Sequence, residues 1–317
     1  YMEQMAIGIK GEFSIEAFCQ AWQHVLDRNS ILRANFLWEG FTKPIHIIHQ
    51  SRKVNVNVLD WTDRGYEFDD LRQNLERINE SQRLTGFDLE HDSLIRLTLV
   101  KIEKNKYHFI WTYHHLLLDG WSMPMVLMQL SEAYAKITKG EKLDITITRS
   151  FGEYIDWQTN QDFSKDRDFW IESLEGYQDR AMLTMDSGRI SDREQSHLEI
   201  KRKLPKVLTE KLKVVAAEKK TTLNTMVQTA WAIFLNFVSE KEKVIFGSVF
   251  SGRSAPVEGI EEMIGMFINT LPMSLKVSSD KKLRELLLEM HSFQLRVSTI
   301  ESTPLTEIKE WIGYKSK

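Results

Sequence analysis

His114-His115-Leu116-Leu117-Leu118-Asp119-Gly120-Trp121-Ser122 decides how this chain reads, because of what stands on either side of it. Before it runs Tyr107 to Tyr113 (YHFIWTY), an apolar, aromatic-rich stretch with the composition of a strand. After it, from Ser122, comes a helix-like run. The chain thus brings two histidines to a strand's end, sets a carboxylate and a glycine in the turn, and starts a helix at once. Strand ends and the loops after them are where a rigid scaffold usually carries its chemistry.

Successive strand residues point to opposite faces. His115 is then expected to share a face with Tyr107, Phe109, Trp111 and Tyr113, and His114 the other face with His108, Ile110 and Thr112. Neighbouring histidines on opposite faces do not converge with Asp119 on one ion, so no metal site is expected. One histidine should be structural and the other functional. Parity alone does not choose between them.

Working outward, strand-like and helix-like segments alternate. Met5 to Lys10 reads as a strand, and Ser14 caps a helix to about Arg28 with Ile15, Phe18, Trp22, Val25 and Leu26 on one face. Short strands follow near Ile31–Trp38, Pro44–His49 and Val54–Val58, then a polar helix near Tyr66–Arg83. Ile95, Leu97 and Leu99 alternate into a strand that hairpins through Lys104-Asn105-Lys106. Ser122–Lys139 and Phe151–Leu174 read as two helices. The polar stretch Asp186–Gln195 is the linker candidate. A second round follows: a strand from His197, helices at Val207–Lys219 and Leu223–Val238, strands at Lys243–Phe250 and Thr270–Val277, and a helix at Lys281–Val297. The α/β chain therefore divides into 1–180 and 181–317.

Composition sets bounds. The chain has 317 residues, 42% hydrophobic and 27% charged, with a formal charge of −3. That is ordinary globular composition, and it predicts no nucleic-acid partner. Lys201 to Lys220 carries eight basic residues against Glu210 and Glu218. A solvated helix face is the simpler reading, and a docking patch for an acidic carrier the functional one. The single cysteine, Cys19, sits in the apolar pattern of the first helix and reads as a buried structural thiol in a reducing compartment. With no long apolar run and no signal peptide, a cytoplasmic protein without a membrane partner is expected. Gly247 and Gly252 make no phosphate loop, and no Gly-x-Ser-x-Gly elbow exists.

HHLLLDGWS resembles the HHxxxDG signature of condensation domains in nonribosomal peptide synthetases, and its HxxxDG core that of the chloramphenicol acetyltransferase superfamily. Four further segments are similar in type and order. Arg28 to Phe36 resembles the family's RHExLRTxF, with Asn29 and Ala34 in place of its His and Thr. Phe151 to Gln158 resembles YxDYAxWQ, and Ile264 to Pro272 resembles IGxFINTxP, preceded by Ser251-Gly252-Arg253. Thr303 to Ile308 resembles the LPLxxIQ-type segment. Tyr1 falls inside what resembles the family's first strand, and Lys317 follows the last motif closely. Both lobes are therefore expected to be incomplete.

The resemblance implies two chloramphenicol-acetyltransferase-like lobes forming a pseudo-dimer with a central tunnel. The implied reaction is amide formation, the amine of an acceptor aminoacyl thioester attacking a donor acyl or peptidyl thioester. Both substrates arrive on phosphopantetheine arms of upstream and downstream peptidyl carrier proteins, beside an adenylation domain. No cofactor is expected on the domain itself. His115 is the expected base or amine-orienting acceptor. Asp119 is expected to be structural, paired with Arg253 across the lobes, and Gly120 to supply a torsion or close approach that a Cβ would block. His114 supports, Trp121 and Ser122 start the helix, and Ser122 caps it. Asn269 either makes a structural hydrogen bond or lines the tunnel. Arg33 forms a core-edge ion pair or lies near the donor path. Epimerization, other acyl transfer, and silent carrier recruitment on the same fold are the rivals. The Glu-Gly-His-Gly-Arg-like segment of epimerization domains is absent from the sequence.

Overall fold

The organising strand of the computed structural model is β6, Lys106–His114, with Tyr107, Phe109, Ile110, Trp111, Thr112 and Tyr113 all buried. The structure describes residues 1–65, 67–143, 149–176 and 200–314. On one side β6 pairs antiparallel with β1 (Met2–Lys10), Met2 opposite His114. On the other it pairs antiparallel with β5 (Ile95–Glu103), through the Lys104-Asn105 turn. β4 (Val56–Asp60) lies parallel to β5 and completes a sheet ordered β1-β6-β5-β4. A separate antiparallel pair, β2 (Ala34–Leu37) and β3 (Ile45–Ile48), follows a 3₁₀ turn at Ser30–Arg33, where the sequence pattern suggested a strand from Ile31.

Alternation along β6 sorts the two faces. Tyr107, Phe109, Trp111 and Tyr113 join the core beneath α1 (Ile15–Arg28) and α3 (Ser122–Thr138). Ser14 caps α1, its Oγ accepting from the Ala17 amide at 3.1 Å. Trp22 meets Trp111 edge-on at 5.2 Å and Phe18 meets Phe109 at 5.0 Å. Such aromatic pairs add about 0.5–1.5 kcal/mol each beyond their buried area. Asn29 and Gln129 join the two helices at 2.7 Å. The opposite face meets α2 (Phe68–Thr85) through polar bonds: Gln82 donates to Thr98 Oγ1 at 2.7 Å and accepts from Thr112 Oγ1 at 3.0 Å.

Phe151–Leu174 is two helices rather than the expected one, α4 (Phe151–Thr159) and α5 (Arg167–Leu174). Asn160 ends the first, its Nδ2 donating to the Asp156 carbonyl at 2.8 Å, and Asp162 starts a new turn by accepting the Ser164 amide at 2.9 Å. Local side-chain bonds of this kind compete with helical ones.

The contacts divide the chain into two compact units, Tyr1–Asn160 with Ala255–Phe267, and Gln161–Ser254 with Ile268–Lys317. The crossing falls at 160/161 instead of 180/181 because Trp170 and Leu174 are buried in the second core. The return of Ala255–Phe267 to the first unit has no counterpart in the sequence pattern. The second unit holds α6 (Lys206–Glu218), α7 (Leu223–Ser239), β7 (Lys243–Phe250), β8 (Asn269–Lys276), α8 (Leu283–Ser298) and α9 (Leu305–Trp311). β7 and β8 pair antiparallel, Lys243 opposite Lys276. The linker expected at Asp186–Gln195 and the start of the strand expected from His197 lie outside the described residues. Among the described residues no helix is long and apolar enough to cross a membrane, and no cluster of metal-binding side chains occurs.

Candidate active site

Strand β6 ends at His114, and the ladder continues for one further bond, the His115 amide donating to the Tyr1 carbonyl at 3.0 Å. The chain then turns. The Leu117 amide donates to the His114 carbonyl at 3.1 Å, and the Leu116 amide to His114 Nδ1 at 3.2 Å. His114 therefore uses a ring nitrogen to hold the turn, and burial pushes its pKa below the ordinary histidine value. A neutral imidazole with a free lone pair at Nδ1 is what that bond requires. His114 is thus held within the turn by its own ring. His115 stands beyond the strand, so strand alternation does not set its direction. Its Nδ1 is buried, and no hydrogen-bond partner meets it among the described residues.

Leu117 and Leu118 are wholly buried and anchor the loop from below. Asp119 is also fully buried, and its carboxylate accepts from three backbone amides. Oδ1 accepts from Ser122 at 2.8 Å and Trp121 at 3.1 Å; Oδ2 accepts from Phe267 at 3.0 Å. The first two are the open amides at the start of α3, where a carboxylate also meets the positive end of the helix dipole. Charge-assisted bonds of this kind are roughly twice as strong as neutral ones. No hydrogen bond joins the Asp119 and His115 side chains among the described residues, so this loop is not a proton-relaying His–Asp pair.

Three expectations for this loop are corrected. Asp119 caps α3, whereas Ser122 lies inside the helix and sends its hydroxyl elsewhere, donating to the Gly265 carbonyl at 2.8 Å and accepting the Gly265 amide at 3.1 Å. Trp121 is 63% exposed and does not pack the helix start. Gly120 has no positive φ, and a Cβ there would meet nothing within 4 Å among the described residues, so neither torsion nor crowding within the protein requires glycine.

The loop is instead crowded at Gly265, the glycine of the IGxFINTxP-like segment, to which the sequence reading gave no role. A Cβ on Gly265 would lie 2.2 Å from Phe151 Cδ2. Phe151 in turn stacks edge-on against Phe267 at 4.9 Å. The signal for it was a glycine inside the apolar run Ile264-Gly265-Met266-Phe267, a pattern that marks close backbone approach.

The remaining candidates lie on other elements of the chain. Arg33 makes no ion pair among the described residues; it donates to the backbone carbonyls of His49 at 3.0 Å, Asp27 at 2.8 Å and Leu26, tying α1 to the residue that follows β3. Asn269 Nδ2 donates to the carbonyls of Thr303 at 2.7 Å and Glu301 at 2.9 Å within the second unit, the structural alternative of its two readings. Arg253, expected as Asp119's partner, follows β7 in the second unit, its amide 3.4 Å from Ser251 Oγ. Cys19 is only half-buried, with its thiol pushed up by burial.

The mixed α/β chain has the chloramphenicol-acetyltransferase-like fold. Within that class, the family model for condensation domains matches residues 1–316, and the chain belongs to the condensation-domain family. It is 35% identical over 313 residues to a linear gramicidin synthase of Brevibacillus parabrevis, covering 98% of this chain and 4% of that protein. It is 32% identical over 311 residues to bacitracin synthase 1 of Bacillus licheniformis, covering 98% of this chain and 6% of that one. The chain thus spans a small part of the synthetases it matches. Among solved structures, the first condensation domain of the calcium-dependent antibiotic synthetase, in complex with a substrate analogue, superposes with a TM-score of 0.77 at 18% identity, covering 99% of this chain and 73% of that one. The X-domain from teicoplanin biosynthesis gives a TM-score of 0.76 at 19% identity, covering 100% and 70%.

Proposed function

We propose that this domain forms peptide bonds in nonribosomal peptide synthesis, with His115 as the group that meets the reacting amine. The carrying observation is the division of labour within one loop. Asp119 is engaged by three backbone amides, while His115 is pinned by its own amide and its buried Nδ1 meets no hydrogen-bond partner among the described residues. A fixed backbone with an unengaged imidazole suits a group whose partner is a substrate.

The chemistry asks little of that imidazole. An α-amine has a pKa of roughly 7.7–8.0, so an appreciable share is neutral near pH 7. Holding donor and acceptor end to end can supply about 7–11 kcal/mol of the barrier, and general-base assistance adds about 10²–10⁴-fold in rate. His115 accepts a hydrogen bond from the attacking amine and takes its proton as the tetrahedral intermediate forms. The thiolate of the donor's arm then leaves. Both substrates come on the phosphopantetheine arms of carrier proteins, the donor's upstream and the acceptor's downstream, in a cytoplasmic synthetase with a neighbouring adenylation domain.

The test is single-turnover condensation in the parent protein, mixing donor-loaded and acceptor-loaded carriers and following dipeptidyl product by intact mass. Product in the wild type and a loss of a hundredfold or more in His115→Ala support the reading. Equal product in both would overturn the role of His115. Carrier binding without product in either would make the domain a recruiting module, and inversion of the donor without condensation would make it an epimerization domain.

A further inference from the structure

We propose that Ser122 is a positioning residue for His115, acting through a latch that joins the histidine loop to the distant segment Ala255–Phe267. The inference rests on the reading of His115 given above and names what holds that residue in place.

Ser122 and Gly265 are 143 residues apart and exchange two hydrogen bonds: the hydroxyl donates to the Gly265 carbonyl at 2.8 Å and accepts the Gly265 amide at 3.1 Å. The same carbonyl also receives the Asp119 amide at 3.2 Å. Two residues on, the Phe267 amide reaches Asp119 Oδ2 at 3.0 Å. These bonds tie Asp119–Ser122 to Gly265–Phe267, and Ser122 supplies two of them from one buried hydroxyl. Satisfied buried networks of this kind hold a unique arrangement. A serine that merely began a helix would bond to its own helix instead.

Phe151 closes the latch from behind. A Cβ on Gly265 would meet three atoms of its ring at 2.2, 2.6 and 2.9 Å, so the backbone at Gly265 is pressed against the ring with no room for a side chain. The Gly265 backbone is thus fixed on one side by Ser122 and on the other by Phe151. Asp119, which draws its third amide from this segment, inherits that position, and the turn that carries His115 follows.

The experiment perturbs the latch from both sides and reads His115 directly. Histidine ring resonances are recorded on ¹³C-histidine-labelled protein, with His115 assigned by His115→Gln. Condensation kcat and acceptor KM are measured well below each variant's melting midpoint. Ser122→Ala should move the His115 resonance, leave that of the exposed His91 in place, and lower kcat about tenfold or more at constant KM, because both bonds to Gly265 are lost. Gly265→Ala should move the same resonance in a protein that keeps the Ser122 hydroxyl, and adding Phe151→Leu should return it toward the wild-type position. Ser122→Thr, which keeps the hydroxyl, should lie closer to wild type than Ser122→Ala. If Ser122→Ala does not fold, Ser122→Cys carries the same readouts. A lower melting midpoint with an unmoved His115 resonance and unchanged kcat would reduce the latch to packing and overturn the proposal. A wild type that forms no product defeats the peptide-bond reading alone, because the resonances still decide whether the latch positions His115.

Discussion

Asp119 and His115 lie four positions apart in one loop and receive opposite treatment. The Asp119 carboxylate holds three backbone amides by short bonds, two from the start of α3 and one from a segment more than a hundred residues away. The His115 ring has a buried Nδ1 with no such partner among the described residues. Even His114, the adjacent residue, is engaged, with Nδ1 accepting the Leu116 amide. In hydrolytic His–Asp pairs the acid fixes the tautomer of the base. Here the acid fixes the backbone.

Removing the engaged carboxylate should cost the most. Each buried amide left without an acceptor is worth about 1–3 kcal/mol, so Asp119→Ala should lower unfolding free energy by about 3 kcal/mol or more in urea titration, with activity lost alongside. Asp119→Asn tests the same point more gently, because one carboxylate oxygen becomes an amide that cannot accept from its backbone donor. His115→Ala should show the opposite profile, a rate loss of about 10²–10⁴-fold with stability held within about 1 kcal/mol. If the two variants lose stability equally, the contrast between the residues is false.

The β6 strand, the amphipathic α1, and β7 with its boundaries at Lys243 and Phe250 were all legible from composition and period, because each is specified by neighbours in sequence. The turn that joins β6 to α3 was legible for the same reason. What escaped was carried by distance or by competition. Gly265 matters because of Phe151, more than a hundred residues earlier, and no local pattern reports that contact. Ser122 looked like a cap because serine favours that place, yet Asp119 reaches the same amides with a charge and releases the hydroxyl for Gly265. The break at Asn160 was hidden because aromatic residues continue at helical spacing on both sides of it, while the deciding bonds are those of Asn160 and Asp162.

A pH series sharpens the comparison at His114. Burial holds His114, His108 and His46 below the ordinary histidine value. For such groups the unfolded chain binds protons more readily, so their contribution is fully present above the unfolded value, about pH 6.5, and lost as pH falls toward the folded values. The urea midpoint should therefore decline from about pH 7 to about pH 5, and His114→Gln should flatten part of that decline. His91, raised by its bond to Asp88, works in the opposite sense but is exposed. A midpoint that rises on acidification would count against burial of these three histidines in their neutral form.

The smallest stability effect falls at the position where activity says most. Gly120 is exposed, has no positive φ, and offers open space to a Cβ among the described residues. Gly120→Ala should thus leave unfolding free energy unchanged or raise it by about 0.4–1 kcal/mol, through the lower entropy of the unfolded chain. If the face beside His115 is where a substrate arm approaches, the same methyl should lower single-turnover condensation about tenfold or more. A slower reaction in a protein that is no less stable would place the methyl against something other than the described residues. An unchanged rate would remove Gly120 from the proposed site.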